Sequence, residues 1–318
     1  MNRREFLAAS AAAVLPTASA KSSNTARAES YNSLTARICM FTDHVKPSFG
    51  FDLSDVARMF KELGLAGPDL TIRPGGLVSP ERVEQDLPTA WKVFQEHGLT
   101  IPMITTEIAS VSNPVARPVL VTAAKLGIRY YRPANHRYKA EYKGQSDWQA
   151  DREATIKDLI ALANLSKQLG IQAGFHSHSG PNVGGTVWDA MGLLAKVDPK
   201  GMGLYYDLGH ATVGGDLDGW KFSLRQAASR INMIAIKDYI WEKIKGGWKR
   251  RWVPLGEGMV RIPDFFKIVA QLPFAGPISV HIEYDPGGNS KTEKYDRALA
   301  AGAHDLNYLR EQIKAAFS

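Results

Sequence analysis

The stretch "SKQLGIQAGFHSHSG", Ser166 to Gly180, carries a helix end, a turn, a strand and a polar loop in fifteen residues. Helical sequence runs up to Leu169, and Gly170 stands where a left-handed cap ends a helix. The apolar run that follows reads as a strand entered through a short αβ loop. The same pattern recurs in "FKELGLAGPDLTI" at Gly64, "FQEHGLTIPMITT" at Gly98 and "AAKLGIRYYR" at Gly127. Helix–glycine–strand units in series imply a parallel sheet covered by helices.

Strands are predicted near Arg37–Phe41, Pro68–Ile72, Ile101–Thr105, Ile128–Arg132, Gln172–His176, Gly203–Asp207, Ile231–Lys237 and Ile278–Glu283. Most are apolar throughout, as strands buried on both faces are. Eight strand–helix units predict an α/β fold, a (β/α)8 TIM barrel forming a single domain over residues 35–318. A doubly wound open sheet is the alternative, but no G-x-G-x-x-G follows the first strand.

The chain starts "MNRREFLAASAAAVLPTASA": paired Arg3 and Arg4, an apolar run too short for a bilayer, and a small-x-small site at Ala18–Ala20. This resembles a twin-arginine (Tat) export signal; a basic tail is the plainer reading. Residues 1–20 are expected to be removed and 21–34 to be a flexible lead-in. Export implies the Tat translocation machinery as a transient partner and a periplasmic or secreted destination. No later stretch is apolar enough for a membrane anchor. The single cysteine, Cys39, permits no intramolecular disulfide and lies in a core-like run. The formal charge of +7 comes from scattered Lys and Arg. The densest cluster, "KIKGGWKRRW" (Lys243–Trp252), reads as a basic loop near a polar or anionic ligand, and an exported chain makes nucleic acid a poor partner.

Catalytic groups of such barrels sit at the carboxyl ends of the strands. Of eight histidines, six fall there: His44, His136, His176, His178, His210 and His281. Asp207 and Glu283 close apolar strands, where a carboxylate is costly unless paired or metal-bound. Glu107 ends strand 3, and Arg73, Arg132 and Lys237 supply cations as substrate or rim groups. Asp69, early in strand 2, reads as buried and structural. Asp207 and His210 form a D-x-x-H pair that suits a divalent metal, although Asp207 could equally cap the next segment. For Lys237 the plain alternative is a salt bridge to Asp238. At most one of Tyr205 and Tyr206 can face inward. "VPLGEGMVRI" (Val253–Ile262) is either a flap over the mouth or only a turn.

In order, "FHSHSG", "YDLGHA", "IKDYIW", "VPLGEGMV" and "SVHIEY" resemble the xylose isomerase-like TIM barrels, the sugar phosphate isomerase/epimerase family, and "GPDLTIRPGG" and "PMITT" fit one branch of it. Inosose dehydratases, ketose 3-epimerases and endonuclease IV share that superfamily. The resemblance implies an enzyme with one divalent metal (Mn, Mg, Zn or Co) held by Glu, Asp, His and Glu from strands 5 to 8. Asp207 and Glu283 match; His176 stands at the first Glu position and Ala235 at the His position. His178, His210 or a water would complete the set, or Lys237 would supply the charge without a metal.

The expected chemistry is proton abstraction next to a carbonyl of a non-phosphorylated sugar or keto-sugar, as isomerase or epimerase. In that expectation His176, Asp207 and Glu283 hold the metal, and Glu283 or His210 moves the proton. Lys237 and Arg132 hold substrate oxygens, and His178, Arg73, His281 and Glu107 also bind substrate. A lyase, dehydratase or hydrolase acting on 3-keto-glycosides is the alternative, and a non-catalytic periplasmic sugar-binding protein is the alternative of another class. Endonuclease activity is disfavoured by export and by an incomplete zinc set.

Overall fold

The computed structural model describes residues 30–139, 148–215 and 218–318; the export-signal reading of residues 1–20 lies outside them. Eight parallel strands close a barrel: β1 (Ile38–Phe41), β2 (Gly67–Ile72), β3 (Met103–Thr106), β4 (Tyr130–Arg132), β5 (Gln172–His176), β6 (Met202–Asp207), β7 (Ile231–Ile236) and, after a hairpin, β10 (Ile278–Val280). Strand β10 pairs with β1 through Ile38↔Ile278 and with β7 through Ile278↔Ile234, which completes the ring. The eight-fold expectation is thus met, with strand ends shifted by a few residues. The described fold starts earlier than Thr35, since residues 30–35 are helical and Leu34 is buried in the core.

The helices that matter for placement are α1 (Leu53–Glu62), α2 (Val83–Glu96), α3 (Ala116–Lys125), α4 (Trp148–Leu169), α5 (Val187–Leu194), α6 (Leu208–Gly214), α7 (Gly219–Ala227), α8 (Ile262–Val269) and α9 (Lys291–Phe317). Gly64, Gly98, Gly127 and Gly170, the four glycines read as caps, all have positive φ, between 63° and 78°. That conformation costs other residues roughly 1–2 kcal/mol, so the glycines fix where each helix stops and its strand begins. No helix among the described residues is long and apolar enough to cross a membrane.

Barrel strands alternate side chains between the helical layer and the barrel interior. Tyr206 points outward, its hydroxyl donating to Trp220 O at 3.1 Å and its ring stacked on Phe265. Tyr205 points inward, with Cys39, Met103, Met233 and Ala235 around it. Cys39 is therefore core, as expected.

The basic segment is not a loop. Strands β8 (Asp238–Ile244) and β9 (Gly247–Val253) form an antiparallel hairpin, with Gly246 at φ 91° in its turn. Trp248, Arg250 and Trp252 share one face of β9: Arg250 and Trp252 lie against the barrel mouth, while Trp248, next to the hairpin turn, stays 63% exposed. The segment after it, Val253–Ile262, is fastened by Asp238. That carboxylate accepts from the backbone N–H of Tyr239, Gly256, Gly258 and Val260 at 2.8–3.1 Å. Asp238 is thus spent on its own loop and does not pair with Lys237.

Candidate active site

The inward residues of β6, β7 and β10, extended past their ends, stack in layers. In the deepest, Asp69 accepts from Thr105 Oγ1 at 2.7 Å and Ser279 Oγ at 2.8 Å; it is buried and structural, as expected. Above it the Tyr205 hydroxyl lies 3.4 Å from Asp69 Oδ2 and 3.0 Å from His281 Nε2. The uppermost layer holds His176, Asp207, His210, Lys237 and Glu283.

Asp207 has two roles, one for each oxygen. Oδ1 caps α6 by accepting from His210 N at 2.9 Å, so the capping alternative is correct for that atom. Oδ2 faces the barrel, 3.0 Å from His176 Nε2 and 3.1 Å from Lys237 Nζ. Lys237 also donates to His210 Nε2 at 2.9 Å and Glu283 Oε1 at 2.7 Å. Lys237 thus makes two hydrogen bonds and a further ion pair within the protein, which ties it to the centre rather than to a ligand in this arrangement.

Burial sets the charges. It pushes His176, His178 and His210 below the usual imidazole range; the next largest effect is the Arg132 guanidinium on His176 and the Lys237 ammonium on the other two. Burial alone would raise Asp207 and Glu283. The Lys237 ammonium outweighs it, with His210 and His176 at Asp207 and His281 at Glu283, and holds both carboxyls below their usual range. The centre is therefore two carboxylates, one ammonium and neutral imidazoles. His210 accepts at Nε2, so its Nδ1 carries the proton and donates to Ser179 Oγ at 2.8 Å. Ser179 also accepts from Arg250 of the hairpin at 2.9 Å. Trp252 closes the centre from above, its ring centroid 4.5 Å from Lys237 Nζ.

A cavity of about 650 Å³ opens beside this centre. Of the expected site residues it touches Arg73, Arg132, His178 and Glu283; His176, Asp207, His210 and Lys237 lie beneath. Arg73 is committed to Asp43 at 2.5 Å. His281 is an interior residue, stacked on Phe41 at 4.6 Å. Glu107 is exposed and outside the cavity lining, so the structure does not bring it to the site. Of the six rim histidines only His44 and His178 line the cavity; His176 and His210 lie beneath it, His281 is interior and His136 stays apart. Sequence reading missed the inward side of the hairpin, Arg250 and Trp252; the alternating "WKRRW" was the available signal.

His176, Asp207 and His210 present ligand atoms within 4.8 Å of one another. A carboxylate between neutral imidazoles suits a divalent cation, and Glu283 stands across Lys237 as a further oxygen donor. Ala235 is paired in register with Asp207 and offers no ligand. Three of those four donors are bridged by the Lys237 ammonium, so an ion would have to displace it from Asp207.

The family model described as "Xylose isomerase-like TIM barrel" matches residues 60–311. The chain belongs to the xylose isomerase-like TIM barrel family. Among solved structures, this xylose isomerase-like barrel is similar to a family member from Mycobacterium smegmatis in complex with magnesium, at 18% identity and TM-score 0.64, covering 90% of this chain and 99% of that one. It is similar to the probable 3-DHS dehydratase of Bacillus anthracis at 17% identity and TM-score 0.62, covering 86% and 98%. It is also similar to a D-allulose 3-epimerase from Methylomonas sp. at 15% identity and TM-score 0.64, covering 87% and 98%. No curated protein matches the sequence.

Proposed function

We propose that this barrel moves a proton on the carbon next to a carbonyl of a sugar or keto-sugar that carries no phosphate. The observation that carries the reading is the arrival of two basic groups, Glu283 and His178, at one cavity beside Arg132. His178 Nδ1 lies 2.9 Å from Ser179 O. The Asn182 amide nitrogen lies 3.1 Å from the same Nδ1; we assign the ring proton to Nδ1, toward the nearer Ser179 O, which leaves the Nε2 lone pair as the basic atom. Glu283 is ionised and steadied by Lys237. We assign these two groups to proton removal and return, each worth roughly 10²–10⁴-fold.

His210, with both ring nitrogens engaged beneath the cavity, positions Lys237 and leaves proton transfer to the pair above it. Arg132 lines the same cavity and binds substrate oxygen there; electrostatic stabilisation of developing negative charge is usually the largest catalytic contribution. A divalent cation held by His176, Asp207 and His210 would supply Lewis-acid polarisation of a carbonyl oxygen. Trp252 and the hairpin exclude water from the ion-pair layer, which strengthens every charge interaction in it.

Two features of similar proteins support the reading: one is named a 3-epimerase and another a probable dehydratase. Epimerisation and loss of a β-oxygen share the same first proton removal, so isomerase and lyase are outcomes of one site. The export reading of residues 1–20 places the protein in the periplasm or outside the cell, where free sugars and oxidised glycosides are its expected substrates. The test is solvent exchange: in deuterated buffer, D-fructose or a 3-keto-glucoside should lose a C–H proton resonance in the presence of the protein. A folded protein that exchanges no C–H on any keto-sugar overturns the proposal and leaves a sugar-binding barrel.

A further inference from the structure

The cavity lining carries four cations, Lys46, Arg73, Arg132 and Lys294, against three carboxylates, Asp43, Glu283 and Asp285. Asp43 is shared by Lys46 at 3.3 Å and Arg73 at 2.5 Å. Glu283 is engaged by Lys237 at 2.7 Å. Asp285 accepts from Gly287 N on its own turn at 2.8 Å. Arg132 has no such arrangement. It ends β4, and its Nε is buried without a hydrogen-bond partner. Among the described residues its side chain makes no ion pair; Asp69 and Asp207 act on it only at a distance.

A guanidinium cannot shed its charge in a protein. Its Nε is orphaned, and Asp69 and Asp207 reach the guanidinium only through space, so no carboxylate of the described residues pairs with it directly. The missing partner is therefore an anion that arrives with the ligand. A planar fork of N–H groups matches two coplanar oxygens. Of the other lining cations Lys46 and Arg73 are held by Asp43, while Lys294 makes no ion pair among the described residues, so a phosphate ester is the competing anion that the titration must separate from a carboxylate.

We propose that the cavity takes a sugar acid, a keto-aldonic or uronic acid, whose carboxylate pairs with Arg132. The inference rests on the reading of this cavity as the sugar site. It gives Arg132 the substrate carboxylate, and the reacting carbonyl then lies toward Glu283 and His178.

Calorimetric titration of the full chain with sodium 2-keto-D-gluconate, sodium D-glucuronate, D-fructose, D-glucose and D-glucose 6-phosphate tests it. Wild type should bind an acid sugar at least about tenfold more tightly than its neutral counterpart. Arg132→Met should abolish that preference, bringing acid-sugar binding down to the level of the neutral sugar in the same variant. Arg132→Lys should retain part of it, because charge remains but the fork is lost. Thermal melts confirm that both variants fold. Equal binding of neutral sugars, a preference that survives Arg132→Met, tighter binding of the phosphate ester, or no binding of either acid overturns the proposal. Exchange of C–H on neutral keto-sugars alone would overturn it while leaving the proton-transfer function intact. Tight binding of acid sugars without exchange would do the reverse.

Discussion

The Lys237 ammonium joins Asp207 and Glu283, lying 3.1 Å from Oδ2 of the first and 2.7 Å from Oε1 of the second. One carboxylate is fully buried; the side chain of the other is 29% exposed and faces the cavity. A single cation thus ties a structural carboxylate to one that meets the ligand.

Lys237→Met should be strongly destabilising, since it leaves Asp207 charged in the interior without its partner. Breaking a buried pair from one side costs roughly 3–5 kcal/mol, read as a lower midpoint in urea. The same change vacates the position between Asp207, His210 and Glu283. Mn²⁺ should then raise the melting temperature of Lys237→Met more than that of wild type, by the mass-action stabilisation of a ligand that binds only the folded state. Equal shifts in the two proteins would show that ion and ammonium do not compete.

Glu283→Gln and His178→Gln should each lower the solvent-exchange rate by about 10²–10⁴-fold, with near-native melting temperatures. His210→Gln should act more through misplacement of Lys237, with a larger stability loss than either. Nuclear magnetic resonance exchange rates paired with thermal melts separate the two behaviours.

His44 gives the fold a pH dependence apart from the ion-pair centre. Burial, opposed in part by its bond to Phe41 O, lowers it from 6.5 to about 4. The folded state therefore prefers the neutral ring. The stability this contributes is complete above pH 6.5 and is lost as pH falls toward 4. Urea denaturation at pH 7, 5.5 and 4.5 should show this loss in wild type. His44→Asn should flatten that part of the profile.

Asp238→Ala removes the acceptor of four backbone N–H groups at once. A buried donor left unsatisfied costs roughly 1–3 kcal/mol, and solvent reaching the loop will offset part of that. Loss of amide-exchange protection at Gly256, Gly258 and Val260, with β6 and β7 still protected, is the expected signature.

The proposed export signal has its own check: cleavage after Ala20 is expected in a host with an intact Tat system, abolished by Arg3→Lys with Arg4→Lys, measured by mass of the mature chain.

The barrel was legible in the sequence because its rules are local. A glycine after each helix and a fully apolar strand depend on backbone conformation and solvation of a few neighbouring residues, and neither needs a distant partner. The same holds for the placement of His176, His178, Asp207 and Glu283 at strand ends. The hairpin was missed since its alternating pattern was masked by charge, which in a sequence reads equally as a solvated loop.

What each polar side chain does was decided only by the tertiary structure. Asp238 adjoins Lys237 in the chain but is turned to its own loop, while Lys237 reaches Asp207 and Glu283 on the flanking strands. Barrel closure sets which residues of β6, β7 and β10 share a layer, and the register of those strands is a long-range property. The sequence by itself determined the barrel, its rim and the residues able to do chemistry. The closed sheet decided which of them are paired, which are buried beneath the cavity, and that Arg132 faces it without an ion-pair partner among the described residues, because charge compensation is a matter of distance in space and not along the chain.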